Sequence, residues 1–321
     1  MRTTIILVIV MAAIWLQSCK SSSGSVPSSL TGPKNDSNTI ICLPGSSKLD
    51  IAAIERITGM KGAEKNGEYK ITIPQNDLQV VVDGFRIIPP MGLGSWACFV
   101  PCRDSVMVMG DIVLTETDLF AVQEEVIRQG FTVTGIHNHF VRNHPNVMYM
   151  HVDGKGSVTD MAKGVKAIFQ RVKIVRGHDP KEGKADSVTN TLSFAKLDAI
   201  LGQKGELSKG VYKYTIGRPD VMLREHGIPI SSFAGFNTWA AWQGSEDKAA
   251  VAGDFAMLED EVEPVINTLI KNGIEVVAVH NHMVHEKPHI FFLHYWGIGP
   301  AEKLAIGLKS AIAKTGKGKI H

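Results

Sequence analysis

The chain has no clustering of its basic residues. Its 34 Lys and Arg residues nearly balance 32 Asp and Glu, giving a formal net charge of +2, and the basic residues are scattered over 321 positions. Without a basic stripe there is no electrostatic footprint for a nucleic acid, so nucleic-acid binding is set aside. A permanent membrane span is also missing at the N-terminus, where the apolar run reaches only from Ile5 to Trp15, well short of the roughly 20 residues a bilayer needs. Cysteine is scarce, at positions 19, 42, 98 and 102 only. Cys98 and Cys102 stand four residues apart in an apparent strand, too far for a disulfide unless Pro101 turns the chain.

What the N-terminus does have is a short positive start at Met1 and Arg2, the apolar run, and then Leu16, Gln17, Ser18 and Cys19. This is the layout of a secretory signal. The quartet LQSC looks like a lipobox, the motif at which bacterial lipoproteins are cleaved and their new N-terminal cysteine is lipidated. Residues 1–18 are then the signal peptide, and Cys19 is the lipidation site. Residues 19–46, rich in Ser, Gly, Asn and Pro, form a flexible tether that cannot bury enough apolar surface to fold. The expected location is the bacterial cell envelope, exported and held to a membrane through the lipid. The alternative is an ordinary signal cut elsewhere, with Cys19 discarded.

The strongest pattern is an internal repeat. His280 lies 143 positions after His137, and the same offset holds without a gap along most of the chain. It joins Gly59 to Gly202, Tyr69 to Tyr212, Asp77 to Asp220, Trp96 to Trp239 and Gly110-Asp111 to Gly253-Asp254. Further on it joins Glu116 to Glu259, Pro145 to Pro288, His151 to His294 and Lys166 to Lys309. A unit this long exceeds solenoid repeats, so each copy is a domain or half of a pseudosymmetric one. The copies are assigned to residues 47–178 and 191–321, joined by a polar connector at 179–190.

Periodicity gives each copy the same order of elements. A helix at 48–58 stops at Gly59, and strands follow at 69–73, 78–83, 95–100 and 105–114. Then come a helix at 117–129, a strand ending in His-Asn-His, a strand at 146–152 and a helix at 157–172. In the second copy Pro264 is expected in the first turn of its helix. Helices and strands do not alternate regularly, so the fold class is α+β: two homologous tandem units, each a mixed sheet with helices packed on it. If strands 105–114 and 131–139 run parallel, the helix between them makes a β-α-β unit, with His137, His139 and the Thr115-Glu116 turn along one edge.

Nine of the twelve histidines lie within 137–151 and 280–294. In a strand His137 and His139 share a face, roughly 7 Å apart, a spacing suited to two imidazoles on one transition metal. Zn, Cu, Ni or Fe all accept imidazole, and a third ligand is normally required. The metal candidates are His137, His139 and His151 with His280, His282 and His294. Glu116, Glu259, His144 and His289 are secondary candidates, and the simpler role of the two glutamates is as acids favoured at a helix N-terminus. His151 raises a difficulty, because a tight hairpin would leave it far from His-Asn-His. Three arrangements are open: a long loop brings it back, it serves another site, or the His151 of one copy approaches the His-Asn-His of the other. Histidines here also suit acid–base or structural roles, hydrogen-bonded to backbone or to Asp111.

Two motifs are set aside. The tripeptide is not the HNH nuclease motif, whose residues are dispersed. His280, His282 and Glu286 match cupin spacing, but Asn143 replaces the glutamate in the first copy and a helix precedes the motif. The lipoprotein signal, the duplicated units with Gly-Asp before a helix, and Val-x-x-x-His-Asn-His closing each strand resemble the LppY/LpqO lipoprotein family. That resemblance covers nearly all of the chain after the tether. It implies an envelope lipoprotein with a duplicated domain and carries over no mechanism. The leading expectation is a transition-metal-binding envelope protein, and, if an enzyme, a metal-dependent hydrolase. The opposing one is a non-catalytic module holding a small ligand between the repeats, with Trp96 and Trp239 as walls unless they are simply core residues.

Overall fold

The computed structural model describes residues 48–184 and 186–316; the signal, Cys19 and the tether lie outside the described residues. The first repeat opens with α1 (Ile51–Thr58), capped by Asp50, which accepts a hydrogen bond from the Ala53 amide at 2.9 Å, and ended by Gly59 at φ 71°. The left-handed turn costs a glycine nothing sterically, which is why the helix stops there. Next come β1 (Ala63–Lys65), β2 (Glu68–Pro74), β3 (Gly94–Cys102) and β4 (Ser105–Thr115), then α2 (Leu119–Arg128), β5 (Thr132–His137), β6 (Val147–Gly156) and α3 (Val158–Arg176). The second repeat follows the same order, with α4 (Phe194–Leu201), β7 (Glu206–Ser208), β8 (Val211–Gly217), β9 (Asn237–Gly244) and β10 (Ala249–Met257). It ends with α5 (Glu259–Lys271), β11 (Glu275–His280), β12 (Phe291–Gly299) and α6 (Ala301–Ile312).

Each repeat folds into one six-stranded sheet, in the order β1-β2-β3-β4-β6-β5 and β7-β8-β9-β10-β12-β11, with every neighbouring pair antiparallel. The α+β expectation of two homologous units is therefore met. β4 and β5 do run in the same direction, but β6 lies between them, so the β-α-β unit is a split one. The expected strand at 78–83 shrinks to Val81–Val82, in a small three-stranded sheet with Phe85–Arg86 and Asn143–His144. Pro264 sits inside α5 rather than in its first turn. The last helix of the first repeat runs on to Arg176, because that guanidinium is held by Asp118 at 2.8 Å and Asp77 at 2.9 Å. Cys98 is a buried free thiol while Cys102 is disulfide-bonded, which excludes a bond between the two.

Alternation along the strands sorts the side chains into two faces. On the outer face Ile71, Phe99, Val108 and Ile112 pack under Ile54, Val122 and Val165 of the helices, and the second repeat does the same with Tyr214, Val251, Leu293 and Leu304. The inner face of each sheet packs against the other repeat. Met107, Met109 and Val100 meet Leu223, Ile228 and Phe236, while Val82, Ile87 and Phe140 meet Ala241, Ala252 and Trp296. Each repeat thus sends the hairpin after its second sheet strand onto its partner's sheet. Burying a Phe or Ile side chain is worth about 1.5–3 kcal/mol. Cores that draw on both copies therefore tie them into one compact unit rather than two separable domains.

The two copies approach closely at Gly135. A Cβ there would lie 2.6 Å from the Asn281 carbonyl oxygen, and Thr134 next to it donates to the His282 carbonyl at 2.7 Å. Gly135→Ala is therefore expected to push the second His-Asn-His away and to destabilise the protein by about 1–3 kcal/mol. Chemical denaturation checks this, and an unchanged midpoint would contradict it.

Candidate metal centre

One register line crosses the inner face of each sheet. Thr72 pairs with Trp96, Trp96 with Asp111, Asp111 with His151 and His151 with Gly135. In the second repeat Thr215, Trp239, Asp254, His294 and Ala278 follow in the same order. His151 is thus not at the far end of a tight hairpin. The nine residues between β5 and β6 form a broad connection, and the antiparallel register returns His151 beside His137, with ring centroids 4.8 Å apart.

The packing of the repeats then brings the two sets together. His137 stacks on His280 at 3.7 Å, His139 lies 3.8 Å from His294, and His151 lies 4.0 Å from His282. These are reciprocal contacts about a pseudo-two-fold axis that passes between His137 and His280. The long loop and the crossing between copies, two of the three arrangements open from the sequence, both hold. Tyr149 stacks on His139 at 3.3 Å and Phe292 on His282 at 3.4 Å, closing the cluster on either side.

All six imidazoles are buried. The Nδ1–H of His294 donates to the Gly253 carbonyl at 3.0 Å, which turns the lone pair of its Nε2 toward His137 Nε2, at hydrogen-bond distance of 3.2 Å. His151 is likewise bonded to the Gly110 backbone, and its Nε2 has no partner. His137 Nδ1, His139 Nδ1 and both nitrogens of His280 are buried without a hydrogen bond among the described residues. Buried polar atoms are normally paired, and each left alone costs about 1–3 kcal/mol. Two nitrogens about 2.0–2.1 Å from one ion stand roughly 2.9–3.4 Å apart, so the His137–His294 separation suits two ligands of one metal.

Three sets of potential ligand atoms lie close enough to share an ion: His137, His139 and His294; His137, His151 and His280; and Asp254, His280 and His282. Both all-histidine sets draw on both repeats. Asp111 and Asp254 stand beside the cluster, 3.7 Å from His139 and 3.4 Å from His282. Burial pushes the Asp111 carboxyl up to about 7 and Asp254 well above its ordinary range. The same burial, and then the neighbouring imidazoles, hold His137, His139, His280 and His282 well below the usual histidine range. His151 and His294 are driven down to about 3, chiefly by burial. Neutral imidazole is the form that binds metals.

The secondary candidates stay outside. Glu116 is exposed and bonded to Asn146, and Glu259 is exposed in the first turn of α5. His144 is exposed in its small sheet, and His289 pairs with Glu286 at 2.6 Å, so Glu286 is no cupin-type partner of His280. A further group, Asp153, Glu225 and His226, sits apart from the axis. Trp96 and Trp239 are only half-buried, and they line a cleft of about 440 Å³ between the repeats together with Asp111, Asp254 and four of the histidines. The tip of each tryptophan lies against a glycine of the other repeat, Gly235 and Gly92, so they serve as struts as well as walls. Lys70 and Lys213 in the same cleft escaped notice in the sequence. Their signal is a charged residue kept at the 143-residue offset in the middle of an alternating strand.

Neutral buried histidines have a consequence for acid stability. Unfolded, each takes up a proton near its ordinary value of about 6.5, whereas folded it resists until far lower pH, so the stability is present above about 6.5 and is lost as pH falls towards the folded value. For His151 and His294 that value is about 3. Chelator-treated protein is expected to lose stability steadily below pH about 6.5. A His151→Gln, His294→Gln variant should show a shallower slope in denaturant titrations at several pH values. A flat wild-type profile between about pH 6.5 and 4 would refute the account.

No curated protein matches the chain. Among solved structures it is similar to EtuB from Clostridium kluyveri, at 10% identity over 80% of this chain and 90% of that one, with a TM-score of 0.19. A trimeric bacterial microcompartment shell protein, PduB, matches at 9% identity over 80% and 91%, also with a TM-score of 0.19. Superpositions that loose carry no information on fold or function. The family model described as Domain of Unknown Function (DUF1259) matches twice, at residues 52–171 and 195–314. These segments coincide with the two repeats and take up most of the sequence, so the chain belongs to this family of domains of unknown function (DUF1259) and carries two copies of its domain.

Proposed function

We propose that this protein binds a transition metal at the junction of its repeats, and that it does so as an exported, lipid-anchored protein of the bacterial envelope related to the LppY/LpqO lipoproteins. The observation that carries the metal reading is the convergence of six buried imidazoles, among which His137 Nδ1, His139 Nδ1, His151 Nε2 and both His280 nitrogens have no hydrogen-bond partner among the described residues. Location rests on the signal, the LQSC quartet and Ser-rich tether, and a disulfide at Cys102 suits an oxidising compartment. No helix among the described residues is long and apolar enough to cross a membrane.

His137, His139, His151, His280, His282 and His294 are the donors, with Asp254 and Asp111 beside them. An all-nitrogen set favours Zn, Cu, Ni or Fe over Mg or Ca. The chain's own contribution is to fix the ring orientation of His151 and His294 through the Gly110 and Gly253 backbones, and to flank His139 and His282 with the stacked rings of Tyr149 and Phe292. The ion would supply a Lewis acid and an activated water, which makes metal-assisted hydrolysis the reaction class if the protein is an enzyme. A ligand-binding role without catalysis is favoured by one separate observation, the cleft that opens onto four of the histidines.

Metal content tests the proposal. The chain from Lys20 onward, purified without a metal-binding tag and analysed by mass spectrometry, should hold close to stoichiometric transition metal. Changing His137, His139, His280 and His282 to Ala should abolish it. His137 belongs to both all-histidine sets, so His137→Ala alone should lower the metal content more than His139→Ala or His151→Ala. A folded wild-type protein that takes up none of Zn, Cu, Ni or Fe would overturn the reading.

A further inference from the structure

The cleft that reaches the histidines also carries two lysines that make no direct ion pair among the described residues. Lys70 projects from β2 and Lys213 from β8, at equivalent positions in the two repeats. Each ammonium lies over a tryptophan of its own sheet, at 4.1 Å from the Trp96 ring and 4.2 Å from Trp239, and Lys70 is also 5.3 Å from Phe233 of the other repeat. Among the described residues neither has a carboxylate within ion-pair distance, and the nearby acids, Asp111 and Asp254, stand instead beside His139 and His282. Burial holds the Lys213 ammonium down to about 8 and Lys70 below its ordinary value, and the two repel each other across the space between them. A cation–π contact satisfies part of an ammonium but leaves its charge exposed to the cavity.

Two like charges facing one cavity are unfavourable unless something of opposite sign completes it. Thr72 and Thr215 place a hydroxyl on each side of the same cleft, whose volume of about 440 Å³ is that of a small-molecule site. We propose that the cleft binds a small organic dicarboxylate, one carboxylate on Lys70 and Thr72 and the other on Lys213 and Thr215, with its apolar middle between Trp96 and Trp239. The pseudo-two-fold relation of the walls favours a ligand with like groups at both ends. This site does not require the histidines to carry an ion, although the ligand would lie against them.

Calorimetric titration with succinate, glutarate and adipate, and with hexanoate as the single-charge control, tests the proposal on metal-free protein and again after Zn loading. At least one dicarboxylate should bind the metal-free protein about tenfold or more tightly than hexanoate, since a hydrogen bond to a charged group is worth about 1.5–3 kcal/mol. Lys70→Gln and Lys213→Gln should each weaken binding about tenfold, and Lys→Arg at either position should retain most of it. Thermal melts establish that each variant is folded, and the Arg variants carry the test where a Gln variant is not. Binding of none of the three dicarboxylates, or binding that both Gln variants leave unchanged, overturns the proposal. So does binding seen only after Zn loading and indifferent to the lysines, because the ion itself would then be the anion site. Lysine-dependent binding to the metal-free protein supports it even if the histidines prove to hold no metal.

Discussion

Six imidazoles packed against one another in a buried space set the terms for the rest of this molecule. Charged, they would repel and would lack solvation; neutral, they still leave several nitrogens without a partner. Such an arrangement survives only if the surrounding structure is rigid enough to hold it. The crossed hairpins, the shared apolar cores and the reciprocal contacts of Trp96 on Gly235 and Trp239 on Gly92 supply that rigidity. The histidine cluster and the interlocking of the repeats are therefore one feature seen from two sides.

Duplication explains the economy of the design and also its departures. A single register line, from threonine through tryptophan and aspartate to histidine, is written twice and folded face to face, so one short pattern gives both floor and walls. The copies then diverge at the ends. In the first repeat the hairpin tip residue Asp83 accepts from Arg142 at 3.0 Å and from Trp296 at 3.1 Å, and Arg142 also reaches Glu275 at 2.7 Å. At the matching place in the second, His226 meets Asp153 at 3.2 Å beside Glu225, whose carboxyl burial and Asp153 push up to about 8. One end is a surface ion-pair network and the other a buried carboxyl beside a second acid and a histidine. Tyr149 against Phe292 is a smaller difference of the same kind, a hydroxyl on one flank of the cluster only.

Much of this was legible in the chain itself. An offset of 143 residues held without a gap gave two equivalent units, and apolar periodicity gave their helices and main strands to within a few residues. Those signals are local, and the outer face of each sheet is buried by helices of its own repeat, so local periodicity records it faithfully. Strand order was not legible. The placing of β6 between β4 and β5 depends on pairing across a connection, which no periodicity reports. The short strand at 143–144 is defined by pairing with 81–82, a partner about 60 residues away, which no local pattern reports.

The candidate site divides in the same way. Sequence alone determined which histidines were chemically distinctive: His137 and His139 share a strand face, and His151 keeps its distance in both copies, whereas Lys70 and Lys213 became notable only once the cleft was seen. Only the tertiary structure decided that His139 answers to His294 and His282 to His151, and that Glu116, Glu259, His144 and His289 stand aside. The reason is physical. Spacing along a chain fixes direction within one strand, whereas the meeting of two sheets is set by which hydrophobic faces exclude water together, a sum over many residues that belongs to no motif.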